Sequence, residues 1–96
     1  MLLISDKIVQ EMKIPQLYDT EEVESAEKQI YLKYMEKNTG WIWLLCEYDA
    51  RQKLGFGYVI GMDKSWGYFS LEEMEAIYTI ERDEEFVPVQ FKELEL

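Results

Sequence analysis

Twenty carboxylates, one thiol and no imidazole make up the reactive inventory of this 96-residue chain. Without histidine the commonest general base is missing, and with it the serine and cysteine triads and nearly every transition-metal site. Cys46 has no imidazole to activate it, and its place in an apolar run suits inert packing. A single cysteine also excludes an internal disulfide. Gly55-Phe56-Gly57 lacks the third glycine of a dinucleotide fingerprint and leads into a strand pattern, not a helix. Asp83-Glu84-Glu85 lacks the alternate spacing and the glycine of a calcium loop. Paired carboxylates can supply the acid and base of a glycosidase, but twenty acids in so short a chain form such pairs by chance. The chain therefore reads as non-enzymatic, with no catalytic, cofactor-binding or metal-binding residue to assign.

What the acids do offer is charge. Ten Lys and Arg against twenty Asp and Glu leave a formal net charge of −10. Direct binding to nucleic acid or to an anionic membrane would need the opposite sign. A basic protein partner, metal ions, or solubility alone suits it. Residues 70–96 hold nine acids against Arg82 and Lys92, a net of −7, so most of the excess lies in the last quarter. A second cluster, Asp19, Glu21, Glu22, Glu24 and Glu27, lies early. Both clusters can be merely solvated faces. The alternative is a negative surface whose carboxylates imitate phosphates in a basic groove. On that alternative the partner-binding residues are Glu72, Glu75, Glu81, Asp83, Glu84 and Glu85, with Trp66 as an exposed aromatic anchor.

The elements that must position these groups centre on residues 41–71, which hold all three tryptophans and the cysteine. Trp41, Trp43, Leu45 and Glu47 alternate with Ile42, Leu44, Cys46 and Tyr48, apolar on both faces, as in a strand covered on both sides. Either Trp41 or Trp43 is expected in the core. Residues 56–62 repeat the pattern across a polar turn, which makes an antiparallel hairpin. A turn at Asp63–Gly67 leads to a short strand at Tyr68-Phe69 and then a helix over 71–78. Its start carries a capping box, Ser70 accepting from the Glu73 amide while the Glu73 carboxylate reaches back. Upstream, Ser5-Asp6 cap a helix over 6–13, Pro15 ends it, 14–19 is an extended arm and 20–28 a loop. Residues 29–36 alternate as a strand, joined to the central one through Lys37-Asn38-Thr39-Gly40. Residues 80–85 are extended, with Arg82 expected to pair with a glutamate of the helix. Residues 86–91 form an edge strand or covering arm, because Pro88 cannot donate within a central ladder. The expected fold is one α+β domain over 1–96: an antiparallel sheet of three to five strands, a short N-terminal helix and one capped helix after the central hairpin.

Several of these stretches resemble a family of small proteins of unknown function carried on bacterial plasmids, conjugative elements and prophages. The likeness runs through Ile14-Pro15-Gln16-Leu17-Tyr18, Trp43-Leu44-Leu45 with Glu47, Phe56-Gly57, and Gly67-Tyr68-Phe69-Ser70-Leu71-Glu72-Glu73-Met74-Glu75. It closes with Ile80-Glu81-Arg82-Asp83 and Phe86. The stretch between the helix and Glu81-Arg82-Asp83 is shorter here than in many of those proteins. The family brings no established activity; the resemblance implies a mobile-element context, in which small acidic proteins act on host machinery. The expected function is inhibition of a host nucleic-acid-binding defence protein, of the anti-CRISPR or anti-restriction type. The alternative is an accessory plasmid or phage maintenance protein that binds a partner through exposed aromatics such as Trp66 and Tyr68. Met1-Leu2-Leu3-Ile4 is too short for a signal-peptide core and no apolar run reaches membrane length, so a cytoplasmic monomer or homodimer is expected.

Overall fold

Ser5 starts the first helix: its hydroxyl accepts the Ile8 amide at 3.2 Å, opening α1 (Asp6–Met12). Lys13 closes it in the left-handed region, φ 55°, two residues before Pro15. The computed structural model describes residues 2–96. Beyond α1 come β1 (Gln29–Ile30), β2 (Leu32–Glu36), β3 (Ile42–Asp49), β4 (Leu54–Ile60), β5 (Lys64–Ser70), α2 (Leu71–Glu75), β6 (Ile80–Arg82) and β7 (Val89–Gln90). Five strands form one antiparallel sheet in the order β5-β4-β3-β2-β6, and β1 pairs with β7 in a second, two-stranded sheet. The fold is α+β.

The central sheet is covered on both sides, as the two apolar faces of β3 demand. Leu3, Ile4, Ile14, α1 and α2, through Leu71 and Met74, close one face over Leu45, Tyr48 and Phe69. The fully buried Tyr34 donates its hydroxyl to the Leu3 carbonyl at 3.0 Å and so ties the N-terminal segment to the sheet. The tail from Phe86 to Leu94 closes the other face over Ile30, Leu44 and Cys46.

Several local expectations change. The turn after β4 is shorter than the spacing suggests: Gly61 donates to the Asp63 carbonyl at 2.9 Å, and Lys64–Gly67 already belong to β5. Tyr31 interrupts the first strand, and Gln29-Ile30 pair with the tail instead of β3. Helix α2 stops at Glu75, where the Ala76 and Ile77 amides turn back to the Glu73 and Met74 carbonyls, and Tyr78 is left 88% exposed. Only half of the capping box forms. Ser70 Oγ accepts the Glu73 amide at 3.1 Å, but the Glu73 carboxylate accepts nothing among the described residues. Neither tryptophan is fully buried. Trp41 is 36% exposed, and Trp43 packs half-buried against the core. Arg82 pairs with its neighbour Glu84 at 3.5 Å and not with α2.

Candidate functional site

One extra residue in β3 shapes the site. Leu45 pairs with Gly57 and Glu47 pairs with Phe56, so Cys46 is left over as a β-bulge. The bulge breaks the alternation: Tyr48 joins Leu45 in the core, and Glu47 swings to the side of Cys46. Opposite the bulge only glycine fits, because a Cβ on Gly57 would sit 1.8 Å from the Leu44 carbonyl oxygen.

Glu47 is 3% exposed, and its carboxylate is spent on the loop that follows Pro15. It accepts the Tyr18 amide at 2.8 Å, the Thr20 amide at 3.1 Å and the Thr20 hydroxyl. That first bond helps hold Tyr18 at φ 74°, a region bulky residues avoid. Buried Lys28 donates to the Thr20 carbonyl and hydroxyl, the latter at 3.0 Å, so Thr20 bridges the two buried charges. The Cys46 sulfur lies 3.8 Å from the same hydroxyl, and burial pushes its thiol pKa up, away from reactivity.

This network positions a row of aromatic rings. Tyr18 meets Tyr68 at 6.4 Å between centroids, Tyr68 meets Phe56 at 5.1 Å, Phe56 stacks on Trp66 at 6.0 Å, and Trp66 contacts Phe91 at 4.8 Å. Tyr68 and Phe56, like Trp66 and Tyr58, sit directly across β5 and β4. Tyr18, Glu21, Lys28, Glu47, Phe56 and Tyr68 line a cavity of about 240 Å³. The neighbouring Tyr18 phenol raises the Tyr68 pKa above its ordinary value. Glu47 and Lys28 are engaged in their own network. Glu21 is the rim carboxylate without an ion-pair partner among the described residues.

The sequence-derived binding set does not come together. Trp66 lies on β5 at one edge of the sheet, and Glu81 lies on β6 at the other. Glu81 pairs with Lys37 at 2.9 Å, Asp83 with Lys33 at 3.9 Å and Glu84 with Arg82, so three of the acids meet the chain's own bases. Glu75 accepts the Leu3 amide at 2.9 Å and pairs with Lys53, which makes it part of the scaffold. Glu72 and Glu85 carry no ion pair among the described residues. A larger hollow of about 370 Å³ lies beside β6, lined by Leu2, Leu3, Glu81, Arg82 and Glu84. No cluster of three or more metal-ligating side chains occurs among the described residues.

Tyr18, Glu21, Glu47 and Phe56 were not legible as a group. The bulge that brings them together leaves no mark on an apolar run. No family model, curated protein or solved structure matches the chain. The site therefore rests on its own geometry. No helix among the described residues is long and apolar enough to cross a membrane.

Proposed function

We propose that this chain is a non-enzymatic, cytoplasmic inhibitor from a mobile genetic element. Its target is a basic, nucleic-acid-binding defence protein of the host, in the manner of anti-CRISPR or anti-restriction proteins. The observation that carries this is the cavity rimmed by Tyr18, Glu21, Phe56 and Tyr68. Aromatic faces with a free carboxylate beside them suit a guanidinium or ammonium group, worth ~0.5–2 kcal/mol per cation–π contact. The exposed acids Glu22 and Glu24 continue the negative surface along the same loop, and the net charge of −10 steers a basic partner toward it. Glu72 and Glu85 remain available for the same partner, whereas Glu75, Glu81, Asp83 and Glu84 are committed within the chain.

The test is capture of partners from a nuclease-treated host lysate, followed by titration of the recovered protein. A variant carrying Glu21→Gln, Glu22→Gln and Glu24→Gln should bind at least tenfold more weakly. Binding should also fall steeply with salt and be displaced by competing DNA. Wild-type affinity in the folded triple variant would reject the acidic surface. A salt-insensitive partner lost on Trp66→Ala would instead favour the second function, an accessory maintenance protein. The continuous contact of Trp66 with Phe56, Tyr58 and Phe91 supports that possibility.

A further inference from the structure

We infer that β5 is a self-association edge, on which the β5 strand of a second copy of this chain pairs antiparallel about Gly67. The hydrogen-bond phase of the sheet gives the first ground. Leu71 donates to the Lys53 carbonyl and Gly61 to the Asp63 carbonyl, each at 2.9 Å, in phase with the β4–β5 register. Ser65, Gly67 and Phe69 therefore turn their backbone groups inward to β4. Lys64, Trp66, Tyr68 and Ser70 turn theirs out of the sheet, where no backbone group of the described residues meets them. Seven residues of unpaired edge are a template for another strand.

The two free edges of the sheet differ. Edge strand β6 is three residues long and is flanked by the Lys37–Glu81 and Lys33–Asp83 pairs, the charged blunting that keeps edges apart. In β5 the sole charge is Lys64, and no acid interrupts it although the chain carries −10. Two such strands can therefore lie side by side without placing carboxylates across from one another.

The register argues for a copy of the same chain over an unrelated peptide. A two-fold axis at Gly67 pairs Trp66 with Tyr68 of the second copy, aromatic opposite aromatic, twice. It places Lys64 opposite Ser70 of the second copy, beside the first turn of α2 with Glu72 and Glu73, so charges complement at both ends. At the axis itself Gly67 has open space around it, with nothing within 4 Å of an added Cβ. The product is a ten-stranded sheet whose two aromatic rows lie on one face. The inference stands on the edge and its register, independently of the partner proposed above.

Light scattering after gel filtration, over a range of protein concentration and salt, tests this. Wild-type protein should reach twice the chain mass as concentration rises. The dimer should tighten with added salt, because screening relieves repulsion between two bodies of −10 each. Tyr68→Pro deletes an outward amide that the monomer does not use, so it should stay folded by circular dichroism and lose the dimer. Gly67→Cys needs no loss of stability to be informative. Residues facing themselves across the axis lie ~4.5 Å apart at Cα, within disulfide reach. It should oxidise to a linked dimer far faster than Ser65→Cys, while native Cys46 stays buried. A wild-type protein monomeric at every concentration and salt overturns the inference. So does a dimer that Tyr68→Pro leaves intact, or equal cross-linking of the two cysteine variants.

Discussion

Glu47→Gln separates the buried carboxylate's hydrogen bonding from its size. The two carboxylate oxygens accept two backbone amides and one hydroxyl. A glutamine offers one oxygen and one NH2. If the NH2 takes the place of Oε1, the Tyr18 amide loses its acceptor; if it takes the place of Oε2, the Thr20 amide does. The Thr20 hydroxyl can turn round to accept, but an amide cannot. Either way one partly buried donor is orphaned, which costs ~1–3 kcal/mol. Lys28 also loses the buried carboxylate it reaches through Thr20. Relaxation of Tyr18 from φ 74° returns part of the cost, so the loss should come to about 2 kcal/mol. For a domain of this size that is a fall in Tm of roughly 8–16 °C. Thermal melts monitored by circular dichroism read the global effect. Hydrogen exchange at Tyr18 and Thr20 reads the local one, and the amide left facing the NH2 should exchange faster. An unchanged Tm together with unchanged exchange at both amides would refute the role given to Glu47.

Gly57→Ala should be among the most damaging single-methyl additions. Its Cβ collides with the Leu44 carbonyl at 1.8 Å, backbone against backbone, so the cost should reach the top of the ~1–3 kcal/mol overpacking range. Gly67→Ala, in open space, should stay within ~0.5 kcal/mol, and equal melting of the two would sink the close-approach argument. Glu36 is held below its ordinary pKa of 4.5 by the Thr79 hydroxyl, then by the Thr39 amide. A lowered folded pKa contributes stability above the unfolded value, and that stability is lost as pH falls through the folded one. Denaturation midpoints of wild type and Glu36→Gln should therefore differ most near neutrality and converge below pH 4.5; a gap that widens in acid would reverse the sign.

Turn chemistry and alternation made two hairpins readable. Lys37-Asn38-Thr39-Gly40 and the polar run after Asp49 each join strands that do pair, whereas the turn expected at Asp63–Gly67 lies earlier, at Gly61–Asp63. The starts of both helices were equally plain, since Ser5 and Ser70 cap through their own side chains. Ends were less so: α2 stops early because Ile77 and Tyr78 find no surface to bury against, which no local pattern reveals. Trp66 looked like part of a turn because its neighbours Lys64, Ser65 and Gly67 are turn-like, yet the cross-strand partner Tyr58 draws it into β5. The face taken by Glu47 depends on a bulge, and its partners lie 27 and 29 residues away. Periodicity carries no such information. The ion pairs that quench Glu81 and Asp83 arise the same way, from β6 returning to β2 across the rest of the chain.

That return has a kinetic consequence. Strands β2 to β5 follow one another through short turns, so their ladders form from neighbours, at low contact order. The tail that covers Cys46 comes last in the chain and rests on half-buried Phe86, Phe91 and Leu94 and the two-residue pairing of β7 with β1. Such a layer can peel away as a unit while the opposite face, closed by α1, α2 and Tyr34, remains intact. The lone thiol then becomes a clock for that partial opening: its alkylation rate in native buffer counts detachments of the tail, not unfolding of the whole chain.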